Sequence, residues 1–203
     1  MEIEQILHHA ELFPLAGVDE AGRGACAGPL VVAAVILRDP FSPALARVKD
    51  SKEIREVERE SLFDIVIEES LAHCIVEISP NEIDERGVHA ANIDGMRRAV
   101  LGLALAPRFV LTDGYAVPGL AIPSLGVWKG DQVVHCISAA SILAKVTRDR
   151  IMRTVDSVHP QYGFAKHKGY STLQHMNAIR EFGPSQLHRR SFANVATIIN
   201  ITE

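Results

Sequence analysis

The chain has 203 residues, 47% hydrophobic and 23% charged, with three cysteines and a formal net charge of −4. Its length suits one domain, 1–203, with an ample core, and its apolar content argues against disorder. No apolar run approaches the ~20 residues of a membrane span, no charged-then-apolar leader opens the sequence, and Cys26, Cys74 and Cys136 lack the spacing of a disulfide framework or a zinc site.

A cytoplasmic protein with buried free thiols and no membrane attachment is therefore expected. The charge is split: residues 1–100 carry −9 and residues 101–203 carry +5. A polyanion would be held by a basic surface from the second half. Ordinary solvation explains the same surplus, and charge alone does not choose.

The first predicted strand is short, 15–18, and a second covers 29–37. Only a glycine-rich turn separates them, so they form a hairpin. Residues 52–71 have helical spacing, with Ile54, Val57, Leu62, Ile65, Val66 and Leu71 on one side and Ser51 as N-cap. A third strand is predicted over 73–78, closed by Pro80, and a helix over 91–105, ended by Pro107. Residues 108–114 read as an apolar strand ending on an acid and a glycine. Another strand falls within 121–129, interrupted by Pro123. A long helix is expected over 131–155, then a loop marked by Pro160 and Gly163, then a helix over 171–182 with a serine N-cap. The state of the tail around Ile198 is open. The pattern implies an α/β fold, a mixed sheet with three antiparallel strands first and parallel additions after, flanked by helices.

Chemistry concentrates at the ends of these elements. Asp19 and Glu20 follow the first strand, Asp113 ends a later one, and Asp131 opens a helix. Acids at strand ends are costly to bury unless a positive partner compensates them. In an open sheet, sites lie beyond the C-terminal ends of parallel strands, so Asp19 and Asp113 would lie side by side with Asp131 pointing into the same crevice. An all-oxygen set favours Mg²⁺ or Mn²⁺ over Zn²⁺, and two such ions can drive an in-line phosphoryl displacement. Taken singly, Asp113 and Asp131 read more readily as turn or cap residues than as ligands. Gly22-x-Gly24-x-x-x-Gly28 superficially resembles a dinucleotide loop, but Pro29 and a β-branched run follow it where a helix is needed.

Several motifs stand in order: Gly17-Val18-Asp19-Glu20-Ala21-Gly22-Arg23-Gly24, Lys49-Asp50-Ser51-Lys52, Thr112-Asp113-Gly114, Lys129-Gly130-Asp131, Ser138-Ala139-Ala140-Ser141, and His167-Lys168-Gly169-Tyr170. From about residue 15 to His188-Arg189-Arg190-Ser191-Phe192 the chain resembles the bacterial ribonuclease HII family. The resemblance implies an RNase H-like fold, here a five-stranded mixed sheet, with a small C-terminal helical segment from about 157 to 203. It implies hydrolysis of the RNA strand of RNA–DNA hybrids and incision on the 5′ side of ribonucleotides embedded in duplex DNA. By position, Asp19, Glu20, Asp113 and Asp131 match the family's metal-binding acids. Gly22, Arg23 and Gly24 match the loop that contacts the ribose 2′-hydroxyl, and Tyr170 matches the tyrosine that packs on the sugar.

The 2′-hydroxyl distinguishes RNA from DNA, and a glycine loop lets backbone groups approach it closely. Outside the motif, Arg23 reads as a surface arginine and Tyr170 as a half-buried aromatic. Lys145 is a phosphate candidate on the long helix, and Lys49 and Ser51 are candidates on their loop. Such contacts position a duplex without reading its sequence. His8 and His9 read as exposed and idle, and His159, His175 and His188 as solvated or capping. No obligate protein partner is expected. The competing functional readings are a non-catalytic hybrid-binding module, indifferent to chelator, and a dinucleotide-dependent oxidoreductase, which the Pro29 strand disfavours.

Overall fold

The computed structural model describes residues 2–48 and 54–202. In chain order the elements are α1 (Glu2–His9), β1 (Leu15–Ala21), β2 (Leu30–Leu37), α2 (Glu56–Glu69), β3 (Ser70–Ile78), α3 (Pro80–Arg86), α4 (Val88–Leu101), β4 (Phe109–Asp113), β5 (Ser124–Val127), α5 (Gly130–Val133), α6 (His135–Val158), α7 (Phe164–His167), α8 (Leu173–Phe182) and α9 (Ala193–Thr202). The five strands form one sheet in the order β3-β2-β1-β4-β5. β1, β2 and β3 pair antiparallel, and β4 and β5 add in parallel beside β1, the topology expected from the sequence.

β2 shows how the layers are built. All eight of its side chains are buried, because both faces of the sheet are covered. Val31, Ala33, Val35 and Leu37 join the core under α2 and α6 with Leu62, Val66, Ile137 and Leu143. Leu30, Val32, Ala34 and Ile36 join the opposite core under α4 with Met96 and Ala99. Two smaller apolar clusters close the C-terminal segment: Phe164, Tyr162 and Ala178 against Ala27 and Met152, and Ile179, Val195 and Ile198 against Cys26.

Several boundaries differ from expectation. The helix after the first hairpin begins at Glu56, with Arg55 as N-cap and no side-chain cap bond; the Ser51 expected to cap it lies outside the described residues. It ends at Glu69 because Ser70 is already extended and starts β3. The helix expected over 91–105 starts earlier, at Val88, and ends at Leu101; α3 precedes it, capped by the Ser79 hydroxyl, which accepts from Glu82 N–H. The expected long helix is two, broken where Val134 adopts φ −126° and ψ 120°. No glycine or proline causes this break. The carboxylate of Glu4, on the unforeseen α1, accepts from His135 N–H and Cys136 N–H, both at 3.0 Å, and so starts α6 afresh. α8 is capped by Thr172, whose hydroxyl accepts from His175 N–H, and not by Ser171. The tail is helical, as α9.

Candidate active site

β1 and β4 are adjacent and parallel, with Val18 opposite Thr112 in register. Asp19 and Asp113 therefore occupy the next positions along neighbouring strands. Asp131 reaches the same place from α5, whose connection to β4 is tied by the Gly130 N–H donating to Asp113 Oδ1 at 2.7 Å. One cavity of about 370 Å³ is lined by all four acids, by Gly22, Arg23 and Gly24, and by Lys145 and Tyr170. Of the eleven expected site residues, nine are thus brought together. Lys49 and Ser51 lie outside the described residues.

The acids are held under tension by burial and by one another. Asp19 and Asp131 are buried. Asp19's carboxyl is pushed well above the usual range, first by loss of water, then by Glu20 and Asp113; the Ser141 hydroxyl and Glu20 N–H, the latter at 2.7 Å, oppose the shift. Glu20 is pushed up to about 7, again mainly by burial, with Asp113 and Asp131 adding and Arg23 and Asn92 opposing. Among the described residues, no three His, Cys, Asp or Glu side chains already close around a single point as a cation cage. The acids share a cavity. The donor set still fits a hard cation: it is all oxygen, and Glu20 Oε2 is buried with no hydrogen-bond partner among the described residues. Asp19, Glu20, Asp113 and Asp131 are the residues that could hold such an ion.

The loop that follows Asp19 and Glu20 is shaped by its glycines. Gly22 has φ +87°, and a Cβ there would fall 1.9 Å from Arg148 Nε. A Cβ on Gly24 meets nothing within 4 Å, so that position faces open space. Arg23 lies over the Tyr115 ring at 4.7 Å. Tyr170 is 42% exposed on the cavity wall, with Arg148 5.6 Å from its ring centre. The Lys145 ammonium is bonded to Asp149 Oδ1 at 2.6 Å and partly exposed. β1 can sit this close to α6 only because residue 17 is glycine; a Cβ there would fall 2.1 Å from the Cys136 carbonyl carbon.

Three residues of the site were not singled out as site residues from the sequence. Arg59 lines the cavity and pairs with Asp149 at 3.5 Å. Ser141 acts on Asp19. Asn92 is wholly buried on α4 and faces Glu20. Asn92 left a readable signal, an amide on the same helix face as Ala91, Gly95, Met96 and Ala99. Arg59 left none, being one more charge on a charged helix.

The histidine expectation is corrected. His8 and His9 are exposed, but His175 and His188 are buried. They are satisfied in series: Ser185 N–H donates to His188 Nδ1 at 2.9 Å, the two Nε2 atoms share a 3.0 Å bond, and His175 Nδ1 donates to the Tyr170 carbonyl at 2.9 Å. Part of the second half's positive surplus is also taken up by ion pairs within the protein. Arg150 and Arg153 pair with Glu60, Arg153 with Glu56 as well, and Lys168 with Glu56 at 3.2 Å.

A three-antiparallel, two-parallel sheet with carboxylates at the ends of its adjacent parallel strands is the architecture of a ribonuclease H-like phosphodiester hydrolase. A profile of the ribonuclease HII family matches residues 16–195. Ribonuclease HII of Mycobacterium avium is 56% identical over 198 residues, which is 98% of this chain and 86% of that protein. The chain belongs to the ribonuclease HII family and is an endoribonuclease. The solved ribonuclease H2 from Pyrococcus horikoshii is similar with a TM-score of 0.81 at 27% identity, covering 92% of this chain and 97% of that one. Bst-RNase HIII in complex with Mn²⁺ shares the fold, with a TM-score of 0.72 at 19% identity over 97% of this chain and 73% of that one. Among the described residues, no helix is long and apolar enough to cross a membrane.

Proposed function

We propose that this chain hydrolyses the RNA strand of RNA–DNA hybrids and incises duplex DNA on the 5′ side of embedded ribonucleotides, leaving a 3′-hydroxyl and a 5′-phosphate. The observation that carries the reading is the shared cavity, lined by four acids, a glycine loop and an exposed tyrosine. Acids suited to a cation and a loop suited to a ribose on one cavity support this reading. The unit doing this work is the chain 1–203 with its C-terminal helical segment from about 157, acting in the cytoplasm on RNA primers and misplaced ribonucleotides.

Asp19, Glu20, Asp113 and Asp131 hold the cation site, with Mg²⁺ or Mn²⁺ as the ions and two as the working number; the Mn²⁺ complex of the fold relative supports the class. When bound, such ions lower the pKa of water and offset charge on the phosphate oxygens. The Gly22–Gly24 main chain approaches the 2′-hydroxyl where a longer side chain would block it. Tyr170 packs on the sugar at the junction, and Lys145, Lys49 and Ser51 hold phosphates. Water attacks the phosphorus and the bond to the departing 3′-oxygen breaks, so no covalent protein intermediate is needed.

The test is an end-labelled duplex carrying one ribonucleotide, beside an all-DNA duplex. With Mg²⁺ or Mn²⁺, one cut 5′ to the ribonucleotide is expected, abolished by EDTA and absent from the control. Tight, salt-sensitive hybrid binding with no product in either metal would instead establish the non-catalytic binding module.

A further inference from the structure

The segment between β1 and β2, which carries Gly22, Arg23 and Gly24, is fastened from the far end of the chain. Gly169 O accepts the N–H groups of Cys26 and Ala27, and Leu187 O accepts that of Gly28. Arg189 N–H donates to Cys26 O at 2.9 Å. The Arg189 side chain does more. Its guanidinium spans the segment, donating from Nη1 to Arg23 O at 3.1 Å and from Nε and Nη2 to Gly28 O at 3.1 and 3.0 Å. The residue is wholly buried. Both acceptors of these three bonds are main-chain carbonyls, and no carboxylate lies among them.

A buried cation bonded only to neutral carbonyls is expensive to desolvate. Burial is the main reason its pKa falls to about 9, with Arg148 adding. An apolar side chain would fill the same space at lower cost, so the guanidinium has to be explained by what it grips. Five N–H donors in a rigid plane can reach the carbonyls of residues 23 and 28 together; a lysine ammonium is a single point and cannot. Arg148 holds the same segment from below, donating to Pro29 O at 2.9 Å and Ala27 O at 3.1 Å.

We propose that Arg189 is a positioning residue for ribose selectivity: its planar fork fixes the Arg23 carbonyl and presets the Gly22–Gly24 main chain for the 2′-hydroxyl before substrate arrives. The inference rests on the reading of that loop as the ribose sensor, and the experiment separates the two. In an Asp113→Asn background with Mg²⁺, affinities are measured for a duplex with one ribonucleotide and for its all-DNA counterpart. Gly24→Ala, whose Cβ has open space inside the protein, tests the loop alone and should cut the preference for the ribonucleotide at least tenfold. Arg189→Lys should do the same, with all-DNA affinity unchanged within twofold. A preference lost in Gly24→Ala but kept in Arg189→Lys overturns the proposal. A preference kept in Gly24→Ala overturns the loop reading, and the proposal with it. Hydrogen exchange on the unmutated protein supplies a readout that needs no variant to fold. A preset loop has the amides of Ala25, Cys26, Ala27 and Gly28 protected in the free protein and unchanged when duplex binds; protection gained only on binding overturns the proposal.

Discussion

Removing the Glu4 carboxylate should loosen the start of α6. Glu4 is 1% exposed, and its two oxygens accept from His135 N–H, Cys136 N–H and His135 Nδ1 at 2.9–3.0 Å. It acts as an N-terminal cap delivered from 131 residues away. In Glu4→Ala, two main-chain donors lose their acceptor, each at a cost of about 1–3 kcal/mol, with some relief from entering water. A loss of about 3 kcal/mol in unfolding free energy is expected, measured by urea denaturation. Glu4→Gln keeps one carbonyl acceptor and should lose about half as much. Burial alone would raise the Glu4 pKa, but the bonds from the His135 side chain and from the Cys136 and His135 main chain outweigh it, and the net shift is downward. The stability it adds is therefore present above pH ~4.5 and lost as pH falls through the lowered value. The gap between the unmutated protein and Glu4→Gln should shrink on acidification. Both variants keep the four acids, so protein that remains folded still cleaves. A Glu4→Ala protein within about 0.5 kcal/mol of the parent would refute the cap.

Gly17→Ala should destabilise by about 3 kcal/mol or more, because the added Cβ meets main-chain atoms of α6 that cannot turn aside; a urea midpoint close to the parent's would contradict the close approach. Asp113→Asn should fold, since the amide oxygen can still accept the Gly130 N–H, while cleavage falls about 100-fold or more in single-turnover assays; near-normal turnover would remove Asp113 from the ion site. In EDTA, the raised Glu20 pKa means the folded state binds that proton more tightly than the unfolded chain does. Stability held below pH ~4.5 is then lost as pH rises through about 7. The unmutated protein should fall behind Glu20→Gln by about 3 kcal/mol across that window, and a pH-independent difference would show that the carboxyl is not strained.

What could be read from the sequence was local or periodic. Asp19 and Glu20 were legible because they adjoin the glycine turn that ends β1, and Asp113 because an apolar run stops on it. β2 was legible as a central strand because its unbroken apolar run, with no alternation, fits burial on both faces. What stayed hidden depends on partners distant in sequence. The break at Val134 carries no helix-breaking residue and exists because Glu4 rewards it. His175 and His188 looked like solvated side chains because nothing in their spacing shows that each will find the other across twelve intervening residues of helix and turn. The positive surplus of the second half read equally as a polyanion-binding face or as ordinary solvation. Arg150 and Arg153 instead answer the glutamates of α2, a pairing visible only once the two helices pack together.

The same packing explains how the protein tolerates its acids. Asp19 and Glu20 sit on a strand whose backbone touches α6 at Gly17 and whose neighbour β2 is buried on both faces. β1 cannot shift to relieve the burial and the added repulsion that raise both carboxyls. Strain of this kind persists where the surrounding structure over-determines a position. It also has a direction: any cation that binds the folded site and not the unfolded chain recovers stability in proportion to its affinity. The rigid core therefore keeps the carboxylates from relaxing apart, and the repulsion it maintains favours the binding of a divalent ion. The adjoining loop is likewise held in place, by two buried guanidiniums and not by a flexible hinge. Both walls of the cavity are fixed by interactions made elsewhere in the fold, so the substrate meets a site whose shape is already set.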